Sequence, residues 1–148
     1  MAVYSVRRAS DADRPRALEI WRAAVDATHG FLSCDHRAEI DVMVRDHFIP
    51  TAEIWLAVDG NDHAAGWLVM DGDMIDALFV DPSVHGQGIG TLLVDHAETL
   101  ASGPLAVEAS EQAENALPFY LARGFRVTGR KPTDPQGRPY PLITLLRD

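Results

Sequence analysis

The seven residues His85-Gly-Gln-Gly-Ile-Gly-Thr91 carry the clearest chemical signal in this sequence. Gly86, Gly88 and Gly90 alternate with His85, Gln87, Ile89 and Thr91, between the apolar run MIDALFV and a second apolar run. A strand, a glycine-rich loop and a helix N-terminus present free backbone N–H groups and the positive end of a helix dipole, which suits a phosphate. A tight turn without a ligand is the other reading. Spacing excludes two familiar phosphate loops. A dinucleotide fingerprint needs G-x-G-x-x-G. Thr91 (counting from Gly86) or Leu93 (counting from Gly88) stands where the third glycine belongs. A P-loop needs G-x-x-x-x-G-K-[ST], and the only lysine is Lys131. Asp76 adds a second signal, an acid inside the apolar run MIDALFV, where burial is costly unless it is partnered. No spacing among the six histidines, Cys34 and the acids resembles a metal site.

The elements that must carry these residues follow from periodicity. A strand at Val3–Arg7 precedes a helix over about Ala12–Ala27, capped by Ser10 or Asp11, with Ala17, Leu18, Trp21, Ala24 and Val25 at helical spacing. After the loop THGFLS a second helix runs over Asp35–Phe48, with Ile40, Val44 and Phe48 on one face, and Pro50 closes it. Three strands, EIWLAV, AAGWLVM and MIDALFV, are separated by the turn signals Asp59-Gly60-Asn61-Asp62 and Asp71-Gly72. Ile89, Leu92, Leu93, His96, Ala97 and Leu100 form the stripe of a long amphipathic helix. The strand LAVEA, a short helix over about Asn115–Arg123 ending at Gly124, and the strands FRVTGR and PLITLL complete the chain. Pro118 is tolerated only in a first helical turn, so Asn115 suits the N-cap. The order βααβββαβαββ predicts a mixed α/β fold, one domain over residues 1–148. Its twisted sheet of about seven strands is partly antiparallel and partly parallel, with about four helices on both faces.

The chain of 148 residues can bury a core of its own. A formal net charge of −9 argues against nucleic-acid binding. No stretch approaches the ~18 apolar residues of a membrane span, and the start MAVYSVRRAS lacks signal-peptide features. Cys34 is the single cysteine, which rules out an intrachain disulfide and suits a reducing, cytoplasmic setting. Oligomeric state is open between monomer and homodimer.

At this point the sequence resembles a known family. VDPSVHGQGIGTLL is similar to the acetyl-CoA-binding motif [Arg/Gln]-x-x-Gly-x-[Gly/Ala] of the GNAT superfamily of N-acetyltransferases. A second signature, A-x-x-F-Y-x-x-x-G-F, is matched by Ala116-Leu-Pro-Phe-Tyr120-Leu-Ala-Arg-Gly-Phe125. The derived element order is also that of the family. The resemblance covers essentially the whole chain, and VDATHGFLS and the ending VTGR…PYPL look most like its small bacterial members.

The resemblance implies transfer of an acetyl group from acetyl-CoA to a primary amine, by direct attack in a ternary complex without a metal. The acceptor would be a small molecule, an amino acid or a protein lysine. It assigns the coenzyme A pyrophosphate to backbone N–H groups from His85 through Thr91. On this reading a Cβ at 88 or 90 would hold the phosphate away. It lays the pantetheine arm along Leu78, Phe79 and Val80, with the Val80 N–H polarising the thioester carbonyl. Tyr120 would protonate the departing thiolate or orient its sulfur. A neutral amine is the nucleophile, so a proton must leave; Glu108, Asp76 or a water chain would take it. Thr28, His29, Phe31 and Tyr140, with Arg138, would border the acceptor. Two positions depart from the pattern. His85 replaces the usual Arg or Gln, which implies a pH-sensitive cofactor affinity. Ala113 replaces an asparagine that contacts the pantetheine arm in many members. A non-catalytic acyl-CoA-binding module on the same fold is the alternative, although binding alone requires neither Tyr120 nor Glu108.

Overall fold

Short apolar runs, punctuated by Asp-Gly and Pro turns, build seven strands of one sheet. In the computed structural model, which describes residues 3–148, these are β1 (Ser5–Arg8), β2 (Trp55–Val58), β3 (Ala64–Asp71), β4 (Met74–Val80), β5 (Leu105–Ser110), β6 (Arg126–Lys131) and β7 (Leu142–Arg147). Their spatial order is β1-β2-β3-β4-β5-β7-β6. All neighbours are antiparallel except β4 and β5. That parallel pair is joined by a crossover helix, as a parallel connection requires. The helices are α1 (Arg14–Thr28), α2 (Cys34–Met43, continued by a π turn over Val44–Phe48 and a last turn over Ile49–Thr51), α3 (Ile89–Leu100) and α4 (Ala116–Ala122).

Each face of the sheet has its own core. On one, Leu93, Val94 and Ala97 of α3 and Phe125 pack against Leu68, Val107 and Leu145. On the other, Ile20, Trp21 and Val25 of α1 and Val44 of α2 pack against Leu56, Trp67 and Val69. Trp67 is fully buried, and its indole N–H donates to the Ala17 carbonyl at 3.0 Å. Burying a side chain such as Leu93 is worth roughly 1.5–3 kcal/mol.

Two boundaries differ from the sequence expectation. A 3-10 turn over Asp11–Asp13 precedes α1, which starts at Arg14. Pro50 does not close the second helix, which stays helical to Thr51. The preceding π turn has the Ile49 N–H donating to Val44, five residues back. Pro50 then falls in the first turn of a new segment, where its missing N–H costs little. The Arg14 guanidinium donates to the carbonyls of Ile49 and Ala52 and secures that end against α1.

Candidate active site

The site begins with a defect in pairing. Val69 pairs with Ala77 and Met70 with Ile75, so Asp76 is an extra residue without a partner on β3. Such a bulge bends its strand. On the opposite edge, β4 pairs with β5 only at Met74–Ala106 and Ile75–Val107. Beyond that point the strands part. The edge of β4 from Ala77 to Val80 and the end of β5 at Glu108–Ser110 flank the opening.

The glycine loop closes one end of this opening. Gly86 and Gly88 have φ of 83° and 79°, and Gly88 is the N-cap of α3. A side chain at either would be strained in this left-handed region. Gly90 is small for another reason. A Cβ there would lie 2.9 Å from the Phe119 ring, so the expected conflict at 90 is with that ring. The His85 N–H is used within a 3-10 turn, donating to Pro82 at 3.3 Å. The N–H groups of Gly86 through Thr91 have no acceptor among the described residues. The three at the start of α3 are the unpaired donors every helix leaves there. A diphosphate would accept charge-assisted bonds from them, so the loop fits that group.

A cleft of about 460 Å³ runs from this loop along β4. Leu78, Phe79 and Val80 form one wall and Ala116, Phe119 and Tyr120 of α4 the other. His85, Gly86, Gly88, Ile89, Gly90 and Thr91 also line it. The side chain of Gln87 turns elsewhere and accepts a bond from the Tyr4 hydroxyl at 3.1 Å. Tyr120 is buried against Phe119 and Phe125. Burial pushes its hydroxyl well above the ordinary tyrosine range, with Arg123 a smaller opposing influence.

A second cavity, of about 500 Å³, lies on the α1–α2 side. Trp21, Val25, Val44, Phe48 and Trp67 make its floor apolar, while Asp76 and Ser110 add polar groups from the parted strands. Phe31 and Tyr140 belong to it, and the Tyr140 hydroxyl contacts the His36 ring. Arg138 pairs with Glu39 at 3.1 Å and Asp134 at 3.2 Å, fastening the β6–β7 loop to α2. Thr28 lines only the first cleft. His29 and Phe79 line both, so the two spaces meet across these residues.

The acids differ in their surroundings. Asp76 is exposed on its bulge, and partial desolvation of its carboxyl, with smaller contributions from Asp71 and Glu108, raises it above the usual carboxylate range. Glu108 lines neither cavity. Its Oε1 is 3.1 Å from Lys131 Nζ, and its Oε2 is buried without a partner among the described residues. Ser110, on the same face of β5, likewise has a buried and unpartnered hydroxyl.

Two site residues lie outside the sequence reading, and a third, Asn115, was read there for another role. Arg123 donates to Thr91 Oγ1 at 2.8 and 2.6 Å and to the Phe119 carbonyl at 2.7 Å, and stacks on the Phe119 ring. It puts a guanidinium at the phosphate end of the cleft. Nothing local in the sequence marks it. Ser110 was legible, because period-two alternation sets it on the face of Glu108. Asn115 does occupy the N-cap position of α4, but its backbone is already helical and its side chain makes no capping bond. It lines the first cleft instead. Ala113 is buried there and offers no polar contact.

Among the described residues no group of three or more His, Cys, Asp or Glu could hold a metal, and no helix is long and apolar enough to cross a membrane.

Comparison with known proteins identifies the family and fold. Residues 37–137 match the model of the acetyltransferase (GNAT) domain. The chain is 46% identical over 144 residues to the peptidyl-lysine N-acetyltransferase YjaB of Salmonella typhimurium, covering 97% of this chain and 98% of that protein. The solution structure of apo-form YjaB from Escherichia coli superposes with a TM-score of 0.91 at 43% identity, over 97% of both chains. The PaiA N-acetyltransferase of Thermoplasma acidophilum, solved with coenzyme A, shares the fold at a TM-score of 0.78 and 16% identity, over 99% of both chains.

Proposed function

The chain belongs to the GNAT family of acetyltransferases, and on that premise we propose that it acetylates the ε-amine of polypeptide lysines with acetyl-CoA as donor. The observation that carries this reading is the pair of cavities meeting at His29 and Phe79. One has free amides at its far end, and the other has an apolar floor with an acid beside the junction. An aliphatic lysine arm suits that floor, and Asp76 attracts its cationic end.

The chemistry follows from the side chains present. The amides from Gly86 to Thr91 and the Arg123 guanidinium hold the diphosphate of the co-substrate. The edge of β4 from Leu78 to Val80 aligns the pantetheine arm, and the Val80 N–H polarises the thioester carbonyl. The amine lone pair attacks the carbonyl carbon, a C–N bond forms and the C–S bond breaks. Tyr120 serves the leaving sulfur. Its raised pKa makes full proton transfer to a thiolate uphill, so its part is a hydrogen bond that steadies developing charge. Asp76 puts an acid in the acceptor cavity, while Glu108 lies outside both cavities and is held by Lys131. This mechanism needs no metal. The protein would work in the reducing cytoplasm, as a monomer or homodimer, with no nucleic-acid or membrane partner. A binding-only module is disfavoured by relatives that carry the names of enzymes.

The test is turnover. Purified protein, acetyl-CoA and a panel of lysine peptides should give stoichiometric thiol release and ε-acetylated product. Coenzyme A binding without product on any peptide would remove the lysine assignment.

A further inference from the structure

The proton that leaves the attacking amine needs a destination at the junction, and the geometry points to His29 Nε2 as the general base, with its tautomer set by Thr28. This rests on the acetyl-transfer reading above. His29 follows the last residue of α1, and its N–H donates to Val25 at 2.7 Å, which anchors the ring where both cavities meet. The Thr28 hydroxyl lies 2.8 Å from the Ala24 carbonyl and 2.6 Å from His29 Nδ1. A threonine hydroxyl has one proton. A carbonyl can only accept, so Thr28 donates to Ala24. Both contacts are then hydrogen bonds only if Nδ1 carries the imidazole proton and Thr28 accepts it. The lone pair is left on Nε2, which has no hydrogen-bond partner among the described residues.

The surroundings favour the neutral ring. Burial lowers the His29 pKa below its ordinary value of about 6.5. The charged and titratable groups around the two cavities are few. From β4 there is Asp76, and from α4 Tyr120 and Arg123. His85 comes from the glycine loop, at the cleft wall. From the β6–β7 loop, Asp134 and Arg138 are ion-paired with each other, and Tyr140 engages His36. None of these is hydrogen-bonded to the His29 ring. Phe31 packs on that ring, with centroids 5.1 Å apart. Neither carboxylate reaches both cavities: Asp76 lines only the second, and Glu108 lines neither and is held by Lys131.

In the step itself, the amine attacks the thioester carbonyl carbon and becomes positively charged. Its N–H bond then breaks toward Nε2, giving imidazolium and a neutral amide as the C–S bond breaks. Coenzyme A leaves as the thiolate, and solvent takes the proton from His29 before the next cycle.

The test combines spectroscopy with kinetics. In the intact protein, nitrogen NMR of the His29 ring should show the Nδ1–H tautomer, titrating below 6.5. The Nε2–H tautomer, or titration above 6.5, would overturn the inference whether or not the protein acetylates anything. With acetyl-CoA and a lysine peptide, kcat of the wild type should fall as pH drops through that titration. His29→Gln should lower kcat by roughly 10²–10³-fold, change the acetyl-CoA KM far less, and abolish that acid limb. Thr28→Val should lower kcat severalfold and mix the tautomers, and Thr28→Ser should restore both. If His29→Gln keeps the wild-type rate and acid limb while Glu108→Gln loses them, the base is Glu108 and the acetyl-transfer reading stands. If the wild type acetylates no amine, both fail together.

Discussion

The two cavities are built from different materials. The cleft proposed for the donor offers chiefly backbone polar groups: the free edge of β4 and the amides of a loop with Gly86 and Gly88 at positive φ. The acceptor cavity is mainly side chain, gathered from α1, α2, β4, β5 and the β6–β7 loop. Backbone recognition suits a ligand part that never varies, such as a diphosphate. Side-chain recognition can be retuned without disturbing the sheet. Damage on one side should therefore register in the constants of one substrate, and damage at the junction in kcat.

The largest expected effect on binding falls on the donor side. Gly88→Val places a β-branched residue at a φ of 79°, which should turn the loop amides away from the phosphate. Coenzyme A affinity should drop about a hundredfold by calorimetry, on the order of 3 kcal/mol, with the peptide KM nearly unchanged. An equal loss on the peptide side would undo the division. Tyr120→Phe comes next, at the junction of cleft and chemistry. Losing one hydrogen bond to developing charge should lower kcat about ten- to hundredfold while the acetyl-CoA KM stays within about threefold, measured by initial rates.

The smallest effect should come from the acceptor side. Asp76→Asn should raise the peptide KM about tenfold by removing one attractive charge near the amine, and leave coenzyme A binding alone. The same variant has a stability signature. Partial desolvation raises the folded-state pKa of Asp76, which disfavours its ionised form only weakly at this exposed position. Above the folded-state pKa the wild type should melt slightly below Asp76→Asn, by about 1 °C at most. The gap should close as pH falls below the ordinary aspartate range. Melting curves at several pH values check this; a variant less stable at neutral pH would show that Asp76 has a stabilising partner.

The same contrast decides what the sequence revealed. The donor side was legible, because positive φ demands glycine and three glycines before an amphipathic helix are visible in one dimension. The seven strands and four helices were readable for similar reasons, since period-two and 3.6-residue patterns are local. The acceptor side was legible only through the family resemblance, which named His29, Phe31, Arg138 and Tyr140. The pairing of Arg138 with Glu39, 99 residues away, leaves no spacing signal, and on the donor side neither does that of Arg123 with Thr91, 32 away. Asp76 was conspicuous as an acid in an apolar strand, but its place on a bulge depends on the register with β3, which one strand does not encode. Asn115 does begin α4, as its type suggests, but without a capping bond, because cap propensity is a weak prior where the side chain has a cleft to face. Pro50 was misread because a π turn shifts the hydrogen-bond register by one residue.

The central claim is that donor and acceptor occupy separate cavities at once and react across their junction. Initial-velocity kinetics test it most directly, with acetyl-CoA and a lysine peptide varied against each other on the wild-type protein. The two-cavity account predicts intersecting double-reciprocal lines and no acetylated protein by mass spectrometry when acetyl-CoA is added alone. Parallel lines with a mass-detected acetyl-enzyme would contradict it.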